Sequence, residues 1–334
     1  MKRFTKFCLI FGVILLICGL GVSAAGYLGG AVRDIRAPRT TTGRKTLDVP
    51  AGKLSCLDIS LTSEDVNFYP SQDNDLHIEY PVQEDVTYEY GENGSTYTFY
   101  SSNSGRGWHW FRLEFSFFRE DDSMVNVYLP KNWDVQLSTT SGDVLAETLT
   151  AGTFDLSTIS GEIFLQTLTA KSLDTNSTSG SIILNTGKID GDVHCSSTSG
   201  EIEITNTDMA GLLACNTTSG EIDLSSVTVA YPKTDAADLS SISGDIDLVN
   251  VTIQGGLRLS TTSGEIDLEP ATVYGDIGAE STSGDVSLRL TGAPAHRIAH
   301  TSSTSGDISV TGGDENGAAT ISVSTTSGEI EIQD

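Results

Sequence analysis

Aligned on ten Ser-Gly pairs, the chain between residues 135 and 334 places its apolar residues in four fixed columns. The glycines are Gly142, Gly161, Gly180, Gly200, Gly220, Gly244, Gly264, Gly284, Gly306 and Gly328, spaced 19 to 24 residues apart. Two residues after each glycine stands Ile or Val, from Val144 to Ile330, and four after stands another apolar residue, from Ala146 to Ile332. Seven before, the column runs Val135, Phe154, Leu173, Val193, Leu213, Ala237, Leu257, Ile277, Ala299 and Ile321. Five before, only Thr175 and Thr301 break it. A spacing of two is the period of a strand; the three-and-four spacing of a helix is absent. The inward parity changes across Ser-Gly, so the chain must bend there, and a residue without Cβ suits such a bend.

A repeat near twenty residues predicts stacked coils, each unable to bury its apolar face alone. Twenty residues at ~3.3 Å each trace roughly 65 Å, enough for one turn with two or three faces. The pattern therefore predicts an all-β fold: a parallel β-solenoid (β-helix) of about ten ~20-residue coils with its glycines in one line. Stacked in sequence order, the Gly328 coil would be the free end, with Ile330 touching a single neighbour.

Residues 46–134 read differently, as a β-rich N-terminal cap on the solenoid at 135–334. Aromatics cluster there. Tyr88-Glu89-Tyr90 and Tyr97-Thr98-Phe99 flank a turn at Gly91–Gly94 and predict a hairpin. Val125, Val127 and Leu129 alternate into Pro130. Leu61-Thr62-Ser63-Glu64-Asp65-Val66 reads as a degenerate repeat whose glycine is lost. Trp108 and Trp110 suit either cap packing or a sugar-stacking platform.

The first residues add a membrane element. After a short tail at 1–6, no charge occurs from Phe7 to Val32, and residues 7–28 are long and apolar enough for one transmembrane helix. A basic linker follows at 29–45, carrying Arg33, Arg36, Arg39, Arg44 and Lys45. The alternative is a secreted chain whose signal peptide is cleaved near Val22-Ser23-Ala24. Leu15-Leu16-Ile17 puts a large residue where a lipidation signal at Cys18 would need a small one. The basic count places the C-terminal side inside. Long domains cross largely regardless of charge, however, and the acidic, lysine-poor repeats suit export. The expected location is thus the cell membrane, single-pass, with the solenoid outside.

Charge removes one class of partner. Nineteen Lys and Arg stand against 45 Asp and Glu, a net of −26, which opposes nucleic-acid binding. The position after glycine is acidic in nine of ten repeats, with Ser181 the exception. Glu203, Asp223, Asp247, Asp267 and Glu331 add a second outward row two residues on. Three readings compete: a screened, solvated face; a Ca²⁺ site at Glu201, Glu221, Asp245 and Glu265 of successive coils; or a recognition face for a basic partner. Beyond that Ca²⁺, no cofactor is expected.

The five histidines form no metal or catalytic spacing, and Ser without a placed His and Asp is no triad. The expectation is a protein without catalysis. Cys195 and Cys215 share one slot in consecutive repeats, as two buried thiols or as a cross-coil disulfide.

The TSGE and TSGD repeats followed by Ile-x-Leu, the strand Val127-Tyr128-Leu129-Pro130 and the N-terminal apolar segment resemble the bacterial putative-adhesin family. These are β-strand repeat proteins of unknown function, common in Gram-positive bacteria and often encoded beside cell-envelope stress regulators. The resemblance covers residues ~50–334 and brings no catalytic residues with it. It implies a surface module that meets an envelope polymer or protein. The alternative it implies is an accessory sensor of envelope stress that binds a lipid, peptide or cation. A polysaccharide-active β-helix enzyme stands a distant third.

Overall fold

The structure, a computed structural model, describes residues 41–83, 86–103, 124–230, 236–292 and 296–334. The apolar run at 7–28, most of the basic linker, and Trp108 and Trp110 lie outside the described residues. Among those described, no helix is long and apolar enough to cross a membrane.

Parallel coils stack in register over the whole repeat region. One sheet holds the strands before each Ser-Gly, for example Thr153–Thr158 on Ser172–Ser177, with Phe154 opposite Leu173. The other holds the strands after it, with Ile163 on Ile182 and Ile182 on Ile202. In the coils from Gly142 to Gly244 a third short strand closes the turn and buries Leu149, Leu168, Ile189, Met209, Val229 and Ile253. The four apolar columns are buried in every coil but one.

Glycine is required here for space rather than for backbone angle. None of the ten has positive φ. A Cβ added at any of them would lie closer than 3.0 Å to a carbonyl of the adjoining coil. Gly161 faces the carbonyl of Gly142, Gly180 that of Gly161, and so on up the column. The bend at Ser-Gly exists, but the neighbour's backbone, not the bend, excludes a side chain. Gly142 itself faces the carbonyl of Glu64. The segment Cys56–Pro70 is thus an inner coil of the stack, with Leu57 on Val135 and Val66 on Val144 on one side and the parallel strands Thr96–Asn103 and Val125–Leu129 on the other.

Three residues before each glycine stands Ser or Thr, and its hydroxyl stitches coils together. Thr217 Oγ1 accepts from Gly220 N (3.1 Å) and donates to the Gly200 carbonyl (3.2 Å). Ser241 repeats this with Gly244 N (2.9 Å) and the Gly220 carbonyl (3.0 Å). These buried hydroxyls satisfy backbone groups that the bend removes from the ladders.

Sequence order fails at the far end. The strand Thr320–Thr325 lies between Ile277–Ser281 and Arg297–Ser303, and Ile330–Gln333 lies between Val286–Leu290 and Ile308–Thr311. The Gly328 coil is therefore inserted beneath the Gly306 coil, which forms the end of the rod. Ile330 is fully enclosed, while Ile308 and Val310 are 44% and 41% exposed. Composition explains the order. The inserted coil offers Ile321, Val323, Ile330 and Ile332, all buried. The end coil offers Thr301, and an irregularity between Ile298 and His300 turns the expected core residue Ala299 outward. The more apolar coil takes the position with two neighbours. Gly312 and Gly313, at φ +93° and +88°, turn the chain back. His296 then fastens the inserted coil through Asp334: its N–H reaches Oδ2 (2.7 Å) and its ring Nδ1 reaches Oδ1 (3.0 Å).

The opposite end is closed by antiparallel strands. Thr41–Val49 pairs with Leu76–Gln83, which pairs with Val125–Leu129. The predicted hairpin is Val86–Asn93 with Thr96–Asn103, and its turn sits at Gly94 rather than over Gly91–Gly94. Tyr80, Tyr88 and Phe99 pack over this end with ring centroids 4.7–5.4 Å apart.

Candidate functional site: the acidic ribbon

The two outward acidic rows exist as a continuous ribbon. Glu203, Asp223, Asp247 and Asp267 are directly aligned in successive coils. Glu201, Glu221, Asp245 and Glu265 form the row beside them, each next to its stacked glycine. Aspartates and glutamates in that row behave differently. Asp143 accepts from Glu162 N–H (3.0 Å), Asp245 from Glu265 N–H (2.8 Å), and Asp285 from Glu329 N–H (2.7 Å). The short aspartate side chain reaches the next coil's backbone. The longer Glu201 and Glu221 instead meet Asp223 and Asp247 of the second row.

One cluster results among the described residues. Glu221, Asp223 and Asp247 each turn a carboxylate oxygen to a common point, all within 4.8 Å of one another. Of the four residues predicted for Ca²⁺, only Glu221 joins this cluster; Asp245 is engaged with the backbone, and Asp223 and Asp247 come from the second row. Burial pushes the Asp223 carboxyl up to about 6, assisted by the Asp247 and Glu201 charges. Burial likewise raises Asp247 to about 6, with a hydrogen bond shared with Glu221. Glu221 and Glu265 are raised too, again by burial first and by neighbouring carboxylates second. Oδ1 of Asp267, one coil above Asp247, is buried with no hydrogen-bond partner. A ribbon of this kind holds its charge at a cost, and a cation between the carboxylates would remove it. Three carboxylates supply about half of the six to eight oxygens that Ca²⁺ takes.

The raised pKa values set a direction for stability. An acid whose folded pKa exceeds its ordinary value holds its proton longer in the native state. Stability is then greatest at low pH and falls as pH rises from about 4 through 6. Cooling of the effect by solvent is expected, since both groups are partly exposed. The melting temperature should rise by a few degrees between pH 7 and pH 5, and Asp223→Asn with Asp247→Asn should flatten that rise. A double variant with the wild-type pH profile would show that the two carboxyls titrate normally.

A second polar cluster lies in the cap, in a cleft of about 480 Å³ lined by Asp48, Asp73, His77, Glu79 and Tyr128. His77 Nδ1 meets Asp48 (2.7 Å) and Nε2 meets Asp73 (2.9 Å). Those bonds raise the imidazole and hold Asp73 down at about 2. No spacing in the chain announces it; antiparallel pairing of Asp48 with His77 creates it. Cys195 and Cys215 align side by side in the core as free thiols.

No curated protein matches the chain. Among solved structures, similar chains include one described as a putative adhesin from Parabacteroides distasonis, at 17% identity and TM-score 0.40, covering 75% of this chain and 94% of that one. A putative adhesin from Bacteroides fragilis is 14% identical at TM-score 0.41, over 76% of this chain and all of its own length. A protein described as a putative lipid binding protein, also from P. distasonis, is 18% identical at TM-score 0.40, over 75% and 95%. The Toastrack DUF4097 family model matches twice, at residues 132–230 and 225–333, so both halves of the coil stack carry the family pattern and more than half of the chain is matched. The chain belongs to the Toastrack DUF4097 family.

Proposed function

We propose that this chain is a membrane-anchored, exported repeat module whose acidic ribbon meets an envelope polymer or protein, with no catalytic step. The observation that supports it is the ribbon itself: carboxylates in outward rows, in which burial first and neighbouring acids second raise Asp223 and Asp247 to about 6. Strongly perturbed groups concentrate at functional positions. The apolar run at 7–28 supplies the anchor, and the rod supplies reach from the membrane. Protease added to intact cells should digest the repeat region while the apolar segment stays with the membrane fraction. Full protection of the repeats would overturn export, and a mature N-terminus near Ala24 would replace the anchor with secretion.

A second reading, an envelope sensor responsive to a cation, rests on Glu221, Asp223 and Asp247. Millimolar Ca²⁺ should then raise the melting temperature beyond Mg²⁺ at matched ionic strength. Glu221→Gln or Asp247→Asn should erase the difference. Equal responses to both ions would leave the ribbon a screened surface that meets basic partners.

A further inference from the structure

The two ends of the rod are unlike. At one end antiparallel strands and a tyrosine cluster cover the stack. At the other, among the described residues, Arg297–Ser303 and Ile308–Thr311 each pair with one strand only and present an open edge. Open edges invite another strand, and terminal repeats usually carry a polar outer face to prevent this.

Ile308–Thr311 lacks that protection. The carbonyls of Asp307 and Thr311 accept from Ile330 and Asp334, so these alternate residues face into the rod. Ile308 and Val310 must therefore aim their N–H and C=O groups out of the end. Their side chains belong to the two core columns and are exposed, at 44% and 41%, where no coil follows among the described residues. The end surface thus repeats the face that every inner coil offers its neighbour. Its complement is another coil edge of the same kind.

The geometry points to a head-to-head dimer, in which Ile308–Thr311 of one copy pairs antiparallel with Ile308–Thr311 of a second copy. An identical surface on both sides makes the contact isologous, and pairing uses up that edge in both copies, which closes the assembly at two. Outward hydrogen-bonding groups at Ile308 and Val310 set the register: Ile308 faces Val310 of the other copy, and Ser309 faces its own equivalent. Ser309 then occupies a non-hydrogen-bonded antiparallel position, where Cα atoms approach to about 4.5 Å. The irregularity at Ile298–His300 keeps the neighbouring strand from pairing as regularly, so the contact centres on Ile308–Thr311. This inference goes beyond the surface-module reading and stands whether or not the chain is anchored.

The test uses the full-length chain in detergent micelles. Its protein mass by light scattering should approach twice the monomer as concentration rises, and Ile308→Glu with Val310→Glu should restore the monomer without moving the circular dichroism spectrum. Ser309→Cys, an exposed substitution that asks little of the fold, should give a covalent dimer on mild oxidation, where the wild type gives none. A monomer at every concentration would overturn the proposal. So would a dimer that survives both glutamates, or one in which Ser309→Cys never crosslinks, since the copies would then meet elsewhere.

Discussion

Gly200→Ala is expected to destabilise the rod by about 3–5 kcal/mol, although it adds one methyl group. The methyl would overlap the carbonyl of Gly180 in the coil below. That atom is backbone, fixed in the stack, so no rotamer change makes room. Relief requires the two coils to part locally, which also breaks the Ser197 hydroxyl bridge to Gly180 (3.3 Å). Gly278→Ala supplies the contrast. Gly278 lies within the strand Ile277–Ser281, and its added Cβ would meet only the Arg258 Cγ at 3.9 Å. There the alanine should be neutral or stabilise by up to about 1 kcal/mol, by restricting the unfolded chain. Unfolding free energies of the two variants from urea titration should move in opposite directions or differ by several kcal/mol. Equal shifts would mean that the glycine column is not packed as described.

The fold was largely legible in the chain because its signals are short-ranged. A spacing of two identified strands, and the parity change located the bend. Glu64 is intelligible as a repeat member because Leu57, Ile59 and Val66 keep the column phase. The hydroxyls three before each glycine, from Thr139 to Thr325, were equally regular, yet polarity argued against placing them inside. Only a carbonyl and an N–H waiting in the bend make that position favourable. The carboxylate cluster was legible as a ribbon but not as a triplet. Which acids meet depends on reach: aspartate stops at the next N–H, and glutamate bends toward Asp247. The His77 cluster was not legible at all, since residues 29 apart meet only through antiparallel pairing. Coil order was hidden for a different reason. Every coil offers the same columns, so local pattern permits any coil to follow any other. The signs were the glycines at 312 and 313 and the weak columns at Ala299 and Thr301.

That order carries the sharpest test of the architecture. Ile330→Asp should cost as much as Ile222→Asp in mid-stack, about 4 kcal/mol or more, because both place an unpaired carboxylate between two coils in an apolar core. Ile222 sits between Ile202 and Ile246, and Ile330 between Val286 and Ile308. Both are enclosed. Ile308→Asp should cost less than about 1 kcal/mol in the single chain, since the new carboxylate can turn to water at the open end. Denaturant midpoints measured at low protein concentration, where copies do not pair, separate the alternatives. Stacking in sequence order would give the reverse ranking, with Ile330→Asp mild and Ile308→Asp severe, because Ile308 would then lie between two coils. The ranking tests more than the end of the rod. If the most C-terminal coil is an inner one, then the chain chose stacking order by apolar content and not by sequence, and the same columns that make the coils interchangeable make their arrangement an energetic outcome.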